Sequence, residues 1–153
     1  MHWLTWLKFY RYVGQWENYL LLARTWQAAR LVRRLLKSDT PLLPDAIAAV
    51  NPLYLTPQAG WHLREPEKIY LFANFIVRLP LTLGRCVHRS LIVYRLLNGY
   101  GFPARLHYGI RRDDATQSGH AWVCLAGETQ RAFGEAENPN ERFLPVFTSE
   151  WNG

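Results

Sequence analysis

At 153 residues, with 49% hydrophobic and 20% charged residues, the chain is long and apolar enough for one folded domain and too apolar to be disordered. The formal net charge of +6 permits contact with acidic partners. However, apart from a cluster at Arg24, Arg30, Arg33, Arg34 and Lys37 the cations are scattered, and that cluster reads as a solvated helix face rather than a nucleic-acid site.

The chain opens with helical periodicity. Trp6, Phe9, Tyr10, Val13, Trp16, Tyr19 and Leu20 recur at helical spacing, followed by Leu31, Val32, Leu35 and Leu36, and Gly14 divides the run into two helices. The start, MHWLTWLKFYRY, lacks an apolar core followed by a small-residue cleavage site, and no apolar stretch is long enough to span a bilayer. With only Cys86 and Cys124 present, the cysteines read as free thiols in a reducing, cytoplasmic setting. Residues 39–66 hold five prolines and read as loops around a short helix over Asp45 to Val50. Pro66 then suits the first turn of a helix running to about Leu79, because its missing N–H is not needed there.

The second half has a different texture. From Cys86 to Leu97 the apolar positions Val87, Leu91, Val93, Tyr94 and Leu97 mark a largely buried helix, stopped by Asn98-Gly99 and Gly101. Ala104 to Arg111 alternates Leu106, Tyr108 and Ile110 against Arg105, His107 and Arg111, which is a half-buried strand with His107 on its solvent side. Arg112 to Gly119 reads as a loop and His120 to Ala126 as a second strand. Gly127-Glu128 reads as a type II′ hairpin turn, leading into a third strand over Thr129 to Glu135. The expected architecture is α+β, with a helical region over residues 1–80 and a core over 81–153 in which a Cys-bearing helix packs on a small antiparallel sheet.

Chemistry concentrates in this half. That hairpin register sets His120 opposite Glu135, with Cβ atoms about 4.5–5.5 Å apart, so that a carboxylate can orient an imidazole and stabilise its charged form. Cys86 falls at a helix start, where free N–H groups and the positive end of the dipole favour a thiolate. Singly, a cysteine is usually a small buried hydrophobe, a strand histidine is usually structural, and Glu135 could be a surface charge. In combination, Cys86 at a helix start, His120 at a strand start and an acid beyond it are the order of a Cys–His–acid hydrolase site, with Glu137 as the acid if the hairpin is bulged. Cys124, mid-strand and in phase with His120, reads as core or pocket wall. His88, two residues beyond Cys86, faces elsewhere. No CxxC, HExxH or HxH spacing and no glycine-rich phosphate loop appears, so neither a metal nor a nucleotide cofactor is expected.

The segment GRCVHRSLIVYRLLNGYGFPARLHYGIRR followed by GHAWV resembles the characteristic block of lasso-peptide biosynthesis B proteins, in their stand-alone leader-peptidase form. The likeness covers roughly Gly84 to Glu135, about a third of the chain, and the N-terminal half offers no sharp motif to match. The resemblance implies a transglutaminase-like, papain-like cysteine hydrolase that removes the leader from a ribosomally made precursor, with Cys86 as nucleophile and His120 as base. It also implies partners: the precursor peptide, a small leader-recognition protein and the macrolactam cyclase that uses the product. Trp3, Trp6 and Trp16 on the N-terminal helix are a candidate docking surface for the recognition protein, although packing within the chain accounts for them equally. This chain departs from the family where Ala126-Gly127 replaces an acidic residue and glycine, and where Glu135 stands for the usual Asp. Two other readings stay open: a transglutaminase-like acyltransferase, and a non-catalytic peptide-binding module with structural Cys and His.

Overall fold

The computed structural model describes residues 15–37, 57–79, 85–111, 118–128 and 131–149. The expected helix before Gly14 with its Trp3 and Trp6, the short helix over Asp45 to Val50, and most of the loop after Arg111 lie outside the described residues.

Helix α1 (Trp16–Lys37) buries Leu21, Thr25, Ala28, Ala29 and Val32, a stripe at helical spacing. Its polar members are satisfied locally, since the Thr25 hydroxyl donates to the Leu21 carbonyl at 2.7 Å and the side chain of Asn18, also buried, donates to the Gln15 side-chain oxygen at 3.2 Å. Arg30, Arg34 and Lys37 point outward, the last two in the final turn where cations suit the helix dipole. Arg24 instead turns inward: its guanidinium lies 4.3 Å from the Trp61 ring centre and donates to the Tyr100 hydroxyl at 3.0 Å. Helix α2 (Glu67–Val77) follows Pro66, whose φ of −62° is already helical, and buries Ile69, Phe72, Ala73, Ile76 and Val77.

Helix α3 (Arg85–Gly99) packs against α1, α2 and the sheet. Leu91, Ile92, Tyr94, Leu96 and Leu97 are all at most 1% exposed, which makes α3 the centre of the core. A helix apolar on so many sides must be covered on all of them, and the chain supplies helices on one flank and strands on the other.

Among the described residues, three strands complete the fold: β1 (Ala104–Arg111), β2 (Gly119–Leu125) and, after the single-turn helix α4 (Pro139–Arg142), β3 (Phe143–Thr148). They form one antiparallel sheet in the order β2-β1-β3. Ala104, Leu106, Ala121 and Val123 face the main core with α3. Trp122, Cys124 and Ala132 form a second small core on the opposite face, closed by Phe143.

Two expectations from the sequence are corrected here. The third strand is not Thr129 to Glu135, because among the described residues 131–135 form turns and bends. The turn after β2 spans Leu125 to Glu128, closed by the Glu128 N–H on the Leu125 carbonyl at 3.1 Å, and Gly127 with φ +83° is its third residue. A positive φ there is the signature of type II, which does not carry the strand straight back as a II′ hairpin does. The chain turns again through Arg131 N–H to Glu128 O, and β3 comes later, pairing with β1. The second correction is His107, which is half-buried rather than solvent-facing: it stacks on Trp122 (5.6 Å, 16°) and its Nδ1 lies 3.0 Å from Thr148 Oγ1.

Candidate active site

Cys86 is the second residue of α3, within the first turn whose N–H groups have no partner inside the helix. The backbone N–H groups of Val87 and Ala121 converge on its sulfur, and its thiol is hydrogen-bonded to the His120 imidazole. The His120 contact is the largest influence on the thiol and outweighs burial, so the Cys86 pKa lies below its ordinary value.

His120 is the second residue of β2, an edge strand of the sheet. Its ring packs in a three-ring cluster on the second sheet face, 5.1 Å from Phe143 and 6.1 Å from Trp122 between centroids, with those two rings 6.4 Å from one another. Its Nε2 lies 3.7 Å from Glu135 Oε1, and the same ring meets the Cys86 thiol. Burial works to lower its pKa, but the hydrogen bonds and charges of Cys86 and Glu135 prevail and raise it to about 9. A thiol pushed down and an imidazole pushed up by one another are the two halves of a thiolate–imidazolium pair.

Glu135 comes from the irregular segment after β2. The Phe133 N–H bonds the Val123 carbonyl at 2.6 Å, folding this segment against the outer edge of β2. Gly134, at φ +74°, then packs so tightly that a Cβ there would lie 2.2 Å from the Tyr70 ring, so only glycine admits the approach. The Glu135 carboxylate meets the Arg89 guanidinium in a short ion pair and also faces the Tyr70 phenol and the His120 ring. Burial raises its pKa, and these partners together lower it below the usual carboxylate value. Burial pushes the Tyr70 phenol up to about 12, so it remains a neutral donor. The Arg89 side chain is itself braced, lying 5.0 Å over the Tyr70 ring and donating to Asn74 Oδ1 at 3.3 Å.

The structure therefore brings Cys86, His120 and Glu135 into one cluster, while Glu137 stands apart, exposed and paired with Arg142 at 2.9 Å. Cys124 is buried in the second core, where burial pushes its thiol up to about 11. Sequence reasoning missed Arg89, Ser90, Tyr70 and Phe143. Arg89 and Ser90 follow Cys86 by three and four residues, so helical spacing alone placed them on its face. Tyr70 and Phe143 reach the site through tertiary packing, which no local pattern announces. Among the described residues, no group of three or more His, Cys, Asp or Glu side chains could hold a metal ion.

Residues 20–148 match the family model described as the transglutaminase-like superfamily. No curated protein and no solved structure matches. Among the described residues, no helix is long and apolar enough to cross a membrane.

Proposed function

The chain belongs to the transglutaminase-like superfamily, and on that premise we propose that it is a cysteine peptidase that cleaves the leader from a ribosomally synthesised lasso-peptide precursor. The observation that carries this reading is the contact between the Cys86 thiol, at a helix start, and the His120 imidazole, with a carboxylate behind the ring. Such a pair supplies a nucleophile and, on the same imidazole, the proton that an amine leaving group requires.

In the proposed reaction the Cys86 thiolate adds to the carbonyl carbon of the leader–core peptide bond. The C–N bond then breaks as His120 gives its proton to the departing amine, and the leader is left as a thioester on Cys86. Water, deprotonated by His120, adds to that thioester, and the leader leaves as a free acid while Cys86 regains its thiolate. Glu135 keeps the ring oriented and stabilises its charged form throughout. The freed amine of the core is what a macrolactam cyclase consumes. The proposed setting is the cytoplasm, with a small leader-recognition protein delivering the precursor and the helical region over residues 1–80 as its docking surface.

Precursor peptides incubated with the protein, with and without a leader-recognition protein, test this by mass spectrometry. Appearance of free leader acid and core amine, abolished by Cys86→Ala, supports the peptidase. Transfer of the leader acyl group to an added amine in preference to water would instead favour an acyltransferase built on the same pair. Binding of the precursor that survives Cys86→Ala, with no covalent product from the wild type, would favour a binding module.

A further inference from the structure

The polar residues of one face of α3 reach each part of the site. Cys86, Arg89 and Ser90 stand three and four residues apart, hence side by side on the helix. Cys86 meets His120, Arg89 meets the Glu135 carboxylate, and the Ser90 hydroxyl donates to the carbonyl of Ala121 at 2.7 Å. His120 belongs to a regular strand, so its position follows from the ladder. Glu135 has no such support. Its segment is irregular, and its own N–H makes only a long 3.4 Å bond to Ala132 O. What locates the carboxylate is therefore its side-chain partners, of which, among the described residues, Arg89 is the one charged group besides the imidazole.

We propose that Arg89 is a positioning residue that fixes the Glu135 carboxylate behind His120 and so maintains the imidazole in contact with Cys86. Arg89 touches no reacting atom. It acts through Glu135, gripping the same oxygen, Oε1, that faces His120 Nε2. The side chain is suited to this: its planar guanidinium is braced by the Tyr70 ring beneath it and by Asn74 beside it, so it holds a fixed direction. The titratable groups meeting here are Tyr70 from α2, Cys86 and Arg89 from α3, His120 from β2 and Glu135 itself. Without Arg89 the carboxylate would sit half-buried with one fewer charge partner, and it would protonate or swing out rather than remain behind the ring.

The inference rests on the hydrolase reading of the Cys86–His120 pair, yet its test needs no peptide substrate. Alkylation of Cys86 by iodoacetamide is followed against pH in the wild type, Arg89→Lys, Arg89→Met, Glu135→Gln and the Arg89→Met/Glu135→Gln double variant. Circular dichroism first establishes that each is folded. Arg89→Met is expected to slow alkylation at pH 6 by about tenfold and to move the midpoint up by about one pH unit. Arg89→Lys should recover part of the rate, since it restores the charge without the fixed fork. The double variant should be no slower than Glu135→Gln alone, because a residue that works through Glu135 has nothing left to position. An unchanged profile in Arg89→Met overturns the proposal, and so does a further full loss in the double variant. A wild type whose Cys86 shows no rapid reaction below pH 7 overturns the hydrolase reading itself. Should Arg89→Met not fold, Arg89→Lys in the two Glu135 backgrounds decides: a loss that persists in Glu135→Gln contradicts action through the carboxylate.

Discussion

The Ser90 hydroxyl donates to the backbone carbonyl of Ala121 at 2.7 Å, and Ala121 is the residue that follows His120. The helix that begins with the thiol thus holds the strand that carries the imidazole, through a side chain only 3% exposed. Ser90→Ala leaves that carbonyl without its donor, at an expected cost of about 1–3 kcal/mol in stability. Urea unfolding measures the first effect. The second is a fall in the alkylation rate of Cys86 at pH 6, where a rate equal to wild type would show that the Ser90 contact does not govern the thiol–imidazole distance.

The directions of the pKa shifts fix the pH behaviour. On the proposed peptidase reading, kcat/KM should follow a bell, rising on the acid side as the Cys86 thiolate forms below the ordinary thiol range and falling near pH 9 as His120 loses its proton. Stability follows the same groups with opposite signs. His120 has a folded pKa above its ordinary 6.5, so its contribution is complete below that value and is lost as pH rises through about 9. Glu135 has a folded pKa below its ordinary 4.5, so its contribution is present above that value and is lost as pH falls through the lower one. Thermal melts of wild type and His120→Ala across pH 6 to 10 should converge in their pH dependence above about 9 once the variant's constant offset is removed. A difference that stays constant across this range contradicts the raised imidazole.

Gly134 and Gly127 both have positive φ, yet their surroundings differ. A Cβ at Gly127 meets nothing within 4 Å, whereas one at Gly134 runs into the Tyr70 ring. Gly127→Ala should therefore cost only backbone strain, about 1–2 kcal/mol, and leave kcat/KM unchanged. Gly134→Ala should cost more than this and also lower kcat/KM, because it drives Tyr70 and Glu135 apart. Thermal melts and kinetics on the pair check the contrast, and equal effects on kcat/KM would contradict it.

Two residues serve as negative controls. Glu137→Gln removes an exposed pair with Arg142 and should alter stability by less than about 0.5 kcal/mol and activity not at all. Cys124→Ala should retain the rapid low-pH alkylation seen by mass mapping, since its own thiol is buried and pushed up to about 11. Loss of rapid alkylation in that variant would move the reactive thiol to Cys124.

Much of this was legible in the residues. The Cys86 helix and the Ala104–Arg111 and Gly119–Leu125 strands announce themselves through periodicity, and Pro66 marks the start of α2. The third strand does not. Phe143 to Thr148 carries Pro145 and apolar residues on both faces, and it pairs across a register irregularity at Tyr108/Gly109, so it lacks the alternation that marks a half-buried strand. Glu135 comes beside His120 as the hairpin register foretold, but by another route. Phe133 bonds Val123 rather than lying opposite Trp122, and no ladder continues to Glu135. A turn followed by a fold-back and an ion pair gives the same neighbours as a hairpin, and only the long-range partners Arg89 and Tyr70 distinguish the two.

The irregular course of residues 131–138 has one more consequence. The Cys86 thiol stands on the most buried helix among the described residues and the His120 imidazole on a strand of the sheet, so both share the permanence of the core. The carboxylate hangs from a segment fastened at its backbone chiefly by Phe133 and at its side chain by Arg89. Local opening of that segment lifts Ala132 from the small second core and Phe133 from its place beside Tyr70 but leaves the buried residues of α3 in place, so the amide of Phe133 should exchange its hydrogen well before those of β1. The acid is then the one member of the cluster that the molecule can withdraw and return without unfolding.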